Sequence, residues 1–274
     1  MPILAFAQPP GCPNIDAGAD VVLNCPVNCT DLHADVLETG SSTSYSASSI
    51  PFAPPFPTTG GNPIFVGQDD VWSNVVSLPF NFCFYGQQKN QIVVGANGLL
   101  TFDLSKAGNF CAWSFSASVP SGSLYDDAIM GAYHDIDPSV NSGTEISWDV
   151  IGSAPCRTFV VNYHNVAHFD CNNLITTQQI ILYETTNIIE VYIHDKPTCG
   201  SWNSGNAVIG LQNHNGSQGI TAPGRNTGSW SAYNEAWRFT PNGSANWVVS
   251  WFDQYGNFQG TGQDLLNVCP IGDM

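Results

Sequence analysis

Between Thr176 and Ile193 the chain reads TTQQIILYETTNIIEVYI, two β-branched stretches around a polar break. Runs of this kind, 6–8 residues long and bounded by turn residues, favour strands over helices. A turn centred between Thr185 and Thr186 opposes Leu182 to Ile189 and Ile180 to Val191. Carried outward, that register leaves Cys171 and Cys199 within one residue of facing each other at the open end, where a cystine is geometrically reasonable. Such a bridge closes a loop of about 28 residues and contributes roughly 3 kcal/mol in the loop-entropy view. We therefore expect a Cys171–Cys199 disulfide at the mouth of a long antiparallel hairpin.

The same signals recur along the chain, and no amphipathic helical stretch of useful length interrupts them. In QIVVGANGLLTFD, Asn97-Gly98 is expected to supply the positive φ angles of a tight hairpin between 91–96 and 99–103. CRTFVVNYHNV alternates over 156–166, and NFCFY at 81–85 sets Phe82 and Phe84 against Cys83 and Tyr85. Residues 40–62 are rich in Ser, Pro and Gly and are expected to form a connector rather than a strand. After Pro241 the tail is a hairpin around Tyr255-Gly256-Asn257. Two strands do not make a domain, so this tail is expected to pair within the chain or to continue in a longer parent protein.

Composition narrows the function classes. Six basic residues stand against 22 acidic ones, 17 of them Asp, for a net charge of −16. Nucleic-acid backbones and anionic membranes are bound through Lys and Arg, so neither is an expected partner. Nine cysteines without a Cys-x-x-Cys pair suit an oxidising compartment better than a zinc site. Ala5-Phe6-Ala7, ending a short apolar start, resembles the end of a signal peptide, so residues 1–8 are expected to be its remnant. No run approaches the ~18 apolar residues of a membrane helix, and no insertion of this segment is expected.

The candidate site residues are acidic and aromatic. Asp135 and Asp137, in AIMGAYHDIDPS, would project to one face of a continuous strand with Cα atoms about 7 Å apart. Asp69 and Asp70 in GQDDVWS form a second acidic turn that could converge with them. Three readings are weighed: turn-capping first, a calcium site built from Asp69, Asp70, Asp135 and Asp137 second, and a catalytic pair last, because two acids side by side on one strand rarely acquire the different environments that catalysis needs. His164 and His168 are expected at the surface, and Cys156 has no evident partner. Trp202, Trp230, Tyr233 and Trp237 are placed in Gly/Asn/Ser-rich loops, where aromatic rings can stack on sugars or anchor a protein partner, or simply plug the ends of a sandwich.

The elements AIMGAYHDIDPS, TFVVNYHNV, TQQIILYETTNIIEVYI and NAVIGLQN resemble the extracellular NIDO domain of nidogen and tectorin. Over most of its length the chain is similar to the N-terminal region of large secreted surface proteins of Bacteroidetes, which resemble gliding-motility adhesins exported by the type IX system. DAGADVVLNC and TDLHADV resemble the first strands of a PKD-like module, and VVSWFDQYGNFQGTG its middle strands. The resemblance implies an all-β protein: a NIDO-like antiparallel sandwich over 46–242, inserted into a PKD/Ig-like module formed by 9–45 and 243–274. A link from Cys12 or Cys25 to Cys269 is expected to join those halves. The function implied is non-catalytic adhesion or display at the cell surface, with an extracellular glycan or surface protein as partner. The alternatives are a polysaccharide hydrolase using Asp135 and Asp137, or a structural spacer.

Overall fold

A computed structural model of the protein describes residues 12–269 apart from 13–14, 20, 25–28, 37–38, 66, 141–142, 246–247 and 254. The expected signal-peptide remnant at 1–8 lies outside the described residues, as does Cys25. Two antiparallel sheets pack face to face. The eight-stranded sheet runs Tyr45–Ser49, Ala232–Pro241, Ile189–Lys196, Cys171–Tyr183, Thr158–His168, Glu145–Ile151 and Asn62–Ile64, with the short Ile136–Asp137 also pairing with Thr158–His168. The seven-stranded sheet runs Gly219–Thr221, Asn206–Gln212, Ala128–Tyr133, Leu99–Thr101, Gln87–Gly95 and Val76–Phe84, with Gly228–Ser229 pairing beside Asn206–Gln212. The long hairpin has the register read from its sequence: Leu182 opposes Ile189 and Ile180 opposes Val191. Cys171 and Cys199 are joined, with Cα atoms 5.9 Å apart.

The main core lies between the layers, where Phe82, Phe84, Ile92, Val94, Phe159, Val161, Ile180, Leu182 and Phe239 meet. Each sheet is also covered on its outer face. The Pro-rich segment after Ser49 lays Ile50, Phe52 and Phe56 over Val160, Ile181, Tyr183 and Tyr192. Residues 111–124 lay Cys111, Phe115, Val119 and Leu124 over Val93, Leu99, Met130 and Val208. This double covering explains why Thr158–His168 is buried along most of its length instead of alternating.

Buried polar side chains cross the interlayer space, Tyr163 and Gln178 among them. Tyr163, from the eight-stranded sheet, donates its hydroxyl to Gly95 O at 2.8 Å in the other sheet. Gln178 accepts from Ala132 N and donates to Ala132 O at 3.2 Å. Ala132 sits at a register shift in the pairing of Ala128–Tyr133 with Asn206–Gln212, so the amide substitutes for ladder bonds lost there. Two glycines make room for it. A Cβ at Gly131 would lie 2.5 Å from Gln178 Oε1, and one at Gly98 2.6 Å from Gln178 Nε2.

Several local expectations are corrected. Gly95 pairs with Leu99, so the hairpin loop is 96–98, and Gly98 takes positive φ while Asn97 does not. Asn97 serves by its side chain instead, as described below. Within the 40–62 connector, Tyr45–Ser49 forms an edge strand against Ala232–Pro241, because Tyr45 is buried and donates to Cys83 O at 3.0 Å. A bulge lies between Tyr163 and Val166, with Asn165 at positive φ. The extra residue changes the alternation, so His168 turns into the interior while His164 stays beside Thr58 Oγ1 at 2.9 Å.

The end segments pair with each other: Thr30–His33 lies antiparallel to Asp264–Val268, and Ser250–Phe252 pairs with Phe258–Thr261. The cystine joining the ends is Cys29–Cys269, and Cys12 bonds Cys156, supplying the partner that the sequence did not reveal. Among the described residues no helix is long and apolar enough to cross a membrane.

Replacing Gln178 with Met, close to it in shape, strands two buried backbone groups of Ala132. A loss of about 3 kcal/mol is expected from unsatisfied buried partners, read as a lower urea midpoint at unchanged slope. A midpoint within error of the parent protein would show that the amide bridge is dispensable.

Candidate functional site

Ala128–Tyr133 belongs to the seven-stranded sheet, whereas Ile136–Asp137 pairs in the eight-stranded one. The chain therefore changes sheets at His134 and Asp135. The expectation of one continuous strand through Asp135 and Asp137 is corrected by this crossing. Asn97, fully buried on the adjacent hairpin loop, pins the corner. Its Nδ2 donates to Asp70 Oδ1 at 2.8 Å and Cys111 O at 2.9 Å, its Oδ1 accepts from Ile136 N at 3.1 Å, and its carbonyl accepts from His134 N. In this way Asn97 brings the turn of Asp69 and Asp70 to the Asp135–Asp137 segment.

Each acid has a local partner. Asp137 Oδ1 accepts from Ser139 N at 2.8 Å and from its hydroxyl, and Asp69 Oδ1 accepts from Asp70 N at 2.8 Å, the turn-capping pattern of short acidic side chains. Asp135 Oδ2 accepts from the Trp202 indole at 2.6 Å, and its buried Oδ1 has no protein partner. Burial raises the Asp135 carboxyl to about 7 against the pull of that indole bond, and the charges of Asp70, Asp69 and Asp137 add to the rise. Burial also raises Asp69 to about 7, helped by Asp70 and Asp137. The charge of Asp137 thus reaches Asp69, Asp70 and Asp135. No group of three or more His, Cys, Asp or Glu side chains among the described residues is placed to hold a metal ion.

Behind Asp135 lies a polar pocket that the sequence did not announce. His134 Nδ1 sits 2.8 Å from Ala132 O, which assigns the proton to that nitrogen and leaves Nε2 as an acceptor. His168 Nε2 lies 3.3 Å from His134 Nε2 and 2.8 Å from Thr176 Oγ1. Burial, followed by the charge of Lys196, lowers His168 to about 4, and burial holds His134 well below its ordinary value. Lys196 is itself buried, and burial followed by the Arg225 charge brings it down to about 7. The adjoining cavity is about 20 Å³, the size of one water. A sugar ring does not fit beside Asp135.

The four aromatic candidates do not share a site. Trp202 joins Trp113 and Phe169, with ring centroids 5.1 and 4.8 Å away, in a half-buried group at the sandwich end. Trp230 is wedged under Lys196 and Arg225, 4.5 and 5.0 Å from its ring, and donates to Ala207 O. Tyr233 and Trp237 are corrected from loop to strand, both lying in Ala232–Pro241. Tyr233 is 75% exposed, whereas Trp237 is 8% exposed and belongs to the core. Phe169 and Trp113 were missed because each gains its meaning from a distant loop. The loop after Cys199 that carries Trp202 is anchored by Asn203 to Trp113 O and by Asn206 to Phe115 O.

A family model described as NIDO related matches residues 44–251. The chain belongs to the NIDO-related family. The matched span begins beside the first edge strand of the sandwich and ends within Ser250–Phe252, so it holds the acidic corner and all four aromatic candidates. No curated protein and no solved structure matches the NIDO-related chain significantly.

The raised Asp135 carboxyl makes stability fall as pH rises, since its contribution is complete below about 4 and lost on ionisation through about 7. His168 acts oppositely: its contribution is complete above 6.5 and lost as pH falls through about 4. Asp135→Asn keeps an acceptor for Trp202 and removes only the first effect. Its Tm relative to the parent is expected to climb between pH 4 and pH 7 in a thermal-melt series. A flat difference would show that Asp135 is not raised.

Proposed function

We propose that this NIDO-related protein is a non-catalytic extracellular module for adhesion or display, secreted to the bacterial surface and recognising a glycan or surface protein there. The observation that carries the reading is the Cys29–Cys269 cystine, a covalent link across 240 residues at the base where the two end segments pair. This link caps how far the ends can be drawn apart, so the residues between Cys29 and Cys269 cannot be pulled out while it holds, and Cys12–Cys156 separately fastens the N-terminal segment to the sandwich. That property suits a body that must keep its binding surface intact while attached. Three cystines also suit an oxidising location. Type IX export, the gliding-adhesin setting and a PKD/Ig-like identity for the paired ends belong to this proposal through family resemblance.

Recognition is favoured over hydrolysis by the acidic corner itself. Asp135 is committed to an indole and Asp137 to Ser139, and the cavity beside Asp135 is too small for a substrate ring. Calcium is a second reading of that corner, favoured by the way Asn97 draws the two acidic pairs together, although the carboxylates would have to close around the ion. Millimolar calcium would then raise Tm at pH 7, and Asp70→Asn would abolish the rise; an unmoved Tm removes calcium from the proposal.

The mechanical reading is tested by pulling single molecules from their two ends. With cystines intact, the residues between Cys29 and Cys269 should contribute no length. Reductant should release roughly 800 Å more, at about 3.4 Å per residue. Full extension without reductant would defeat the reading.

A further inference from the structure

A cleft of about 620 Å³ opens on the side of the sandwich where Asn62–Ile64, the edge of one sheet, approaches Val76–Phe84, the edge of the other. That volume falls within the range of small-ligand sites. Its apolar wall is made by Ile64, Val76 and Trp148, and its polar positions by Gln68, Asn74 and Ser77. Trp148 is half-buried, and its ring is held nearly parallel to Phe159, centroids 5.8 Å apart at 27°, so the platform is fixed before anything binds. Among the described residues none that lines the cleft is acidic, basic or histidine, in a chain carrying 22 acidic residues. A neutral lining in a strongly anionic protein selects an uncharged occupant: a cation would find no carboxylate there, and an anion would be repelled by the rest of the surface.

The flanking strands exclude one kind of uncharged occupant. Pro63 and Pro79 lie in the two edge strands, where proline withholds a backbone donor and blunts the addition of another strand. An extended peptide is therefore disfavoured, and the occupant must be held by side chains. An indole with amides and hydroxyls around it suits a pyranose ring, whose C–H face packs on the aromatic plane while its hydroxyls exchange hydrogen bonds with the rim. We propose that this cleft binds one or two rings of a neutral glycan, with Trp148 as the stacking platform and Asn74 and Gln68 as orienting amides. The assignment deepens the recognition reading above and rests on it.

The test uses the whole chain and defined probes: neutral tetrasaccharides of glucose, mannose, galactose and xylose, with polygalacturonate as the charged control. Binding is followed by calorimetry and by tryptophan fluorescence. At least one neutral series is expected to bind and polygalacturonate to fail. Trp148→Ala should weaken binding about tenfold or more and Asn74→Ala several-fold, while Trp202→Ala leaves it unchanged. Because Trp148→Ala removes part of the core, Ser77→Trp serves as the second variant, plugging the cleft from an exposed edge position. It should abolish binding at unchanged Tm. A neutral glycan bound equally well by Asn74→Ala and Ser77→Trp would overturn the cleft assignment while leaving a glycan-recognising module in place. Failure of every neutral series would overturn it too, and the pulling experiment would then decide the display reading separately.

Discussion

Polar side chains buried between the layers, Gln178 and Tyr163 foremost, hold the two sheets in one alignment. An apolar sandwich interior is non-directional, and hydrophobic contact alone tolerates sliding of one sheet over the other. The Gln178 amide on the backbone of Ala132 and the Tyr163 hydroxyl on Gly95 O do not tolerate it, since each leaves a stranded donor or acceptor if the layers shift. Gly98 and Gly131 exist in their present form because the amide approaches closer than any side chain would allow. The loop of 96–98 is held from both sides, by the bond of Gly131 N to Gly98 O and by the bonds of Asn97 to Asp70, Cys111 and Ile136.

That alignment creates the acidic corner. With the loop fixed, Asn97 can reach the segment where the chain passes between sheets, and the passage brings His134 and Asp135 into the interior. Burial then sets the chemistry. The Asp135 acid and the His134 and His168 imidazoles are pushed toward their neutral forms from opposite directions, by the same burial. The Asn97 bonds specify where the chain turns, and the one-water cavity leaves little room for chemistry on a substrate.

The outer coverings have a functional consequence. Because the 50–58 and 111–124 segments seal the broad faces, the openings left to the sandwich are at its ends and its uncovered side. The half-buried aromatic group around Trp202 lies at one end, and the neutral cleft at Trp148 lies along the side. The cystine-closed base is built from the chain ends, separate from the strands that carry these features, so holding and recognition are divided between different parts of the chain.

Sequence by itself determined the fold class, the register of the hairpin over 178–193 and the cystine at its mouth, because those depend on alternation and turn position over adjacent residues, and it offered Asp69 and Asp70 as partners for Asp135 and Asp137. Tertiary structure decided the rest. One extra residue at Asn165 reversed the facing of His168, a change of sheet at Asp135 broke the continuous strand expected to carry two acids, and a strand placed Trp237 in the core. The pairings of Cys12 with Cys156 and Cys29 with Cys269, and the cleft lined by both Trp148 and Asn74, join residues far apart in the chain. Local pattern reports which side chains prefer burial, but which of them meet is set by how the layers cross and close, and that is a property of long-range packing.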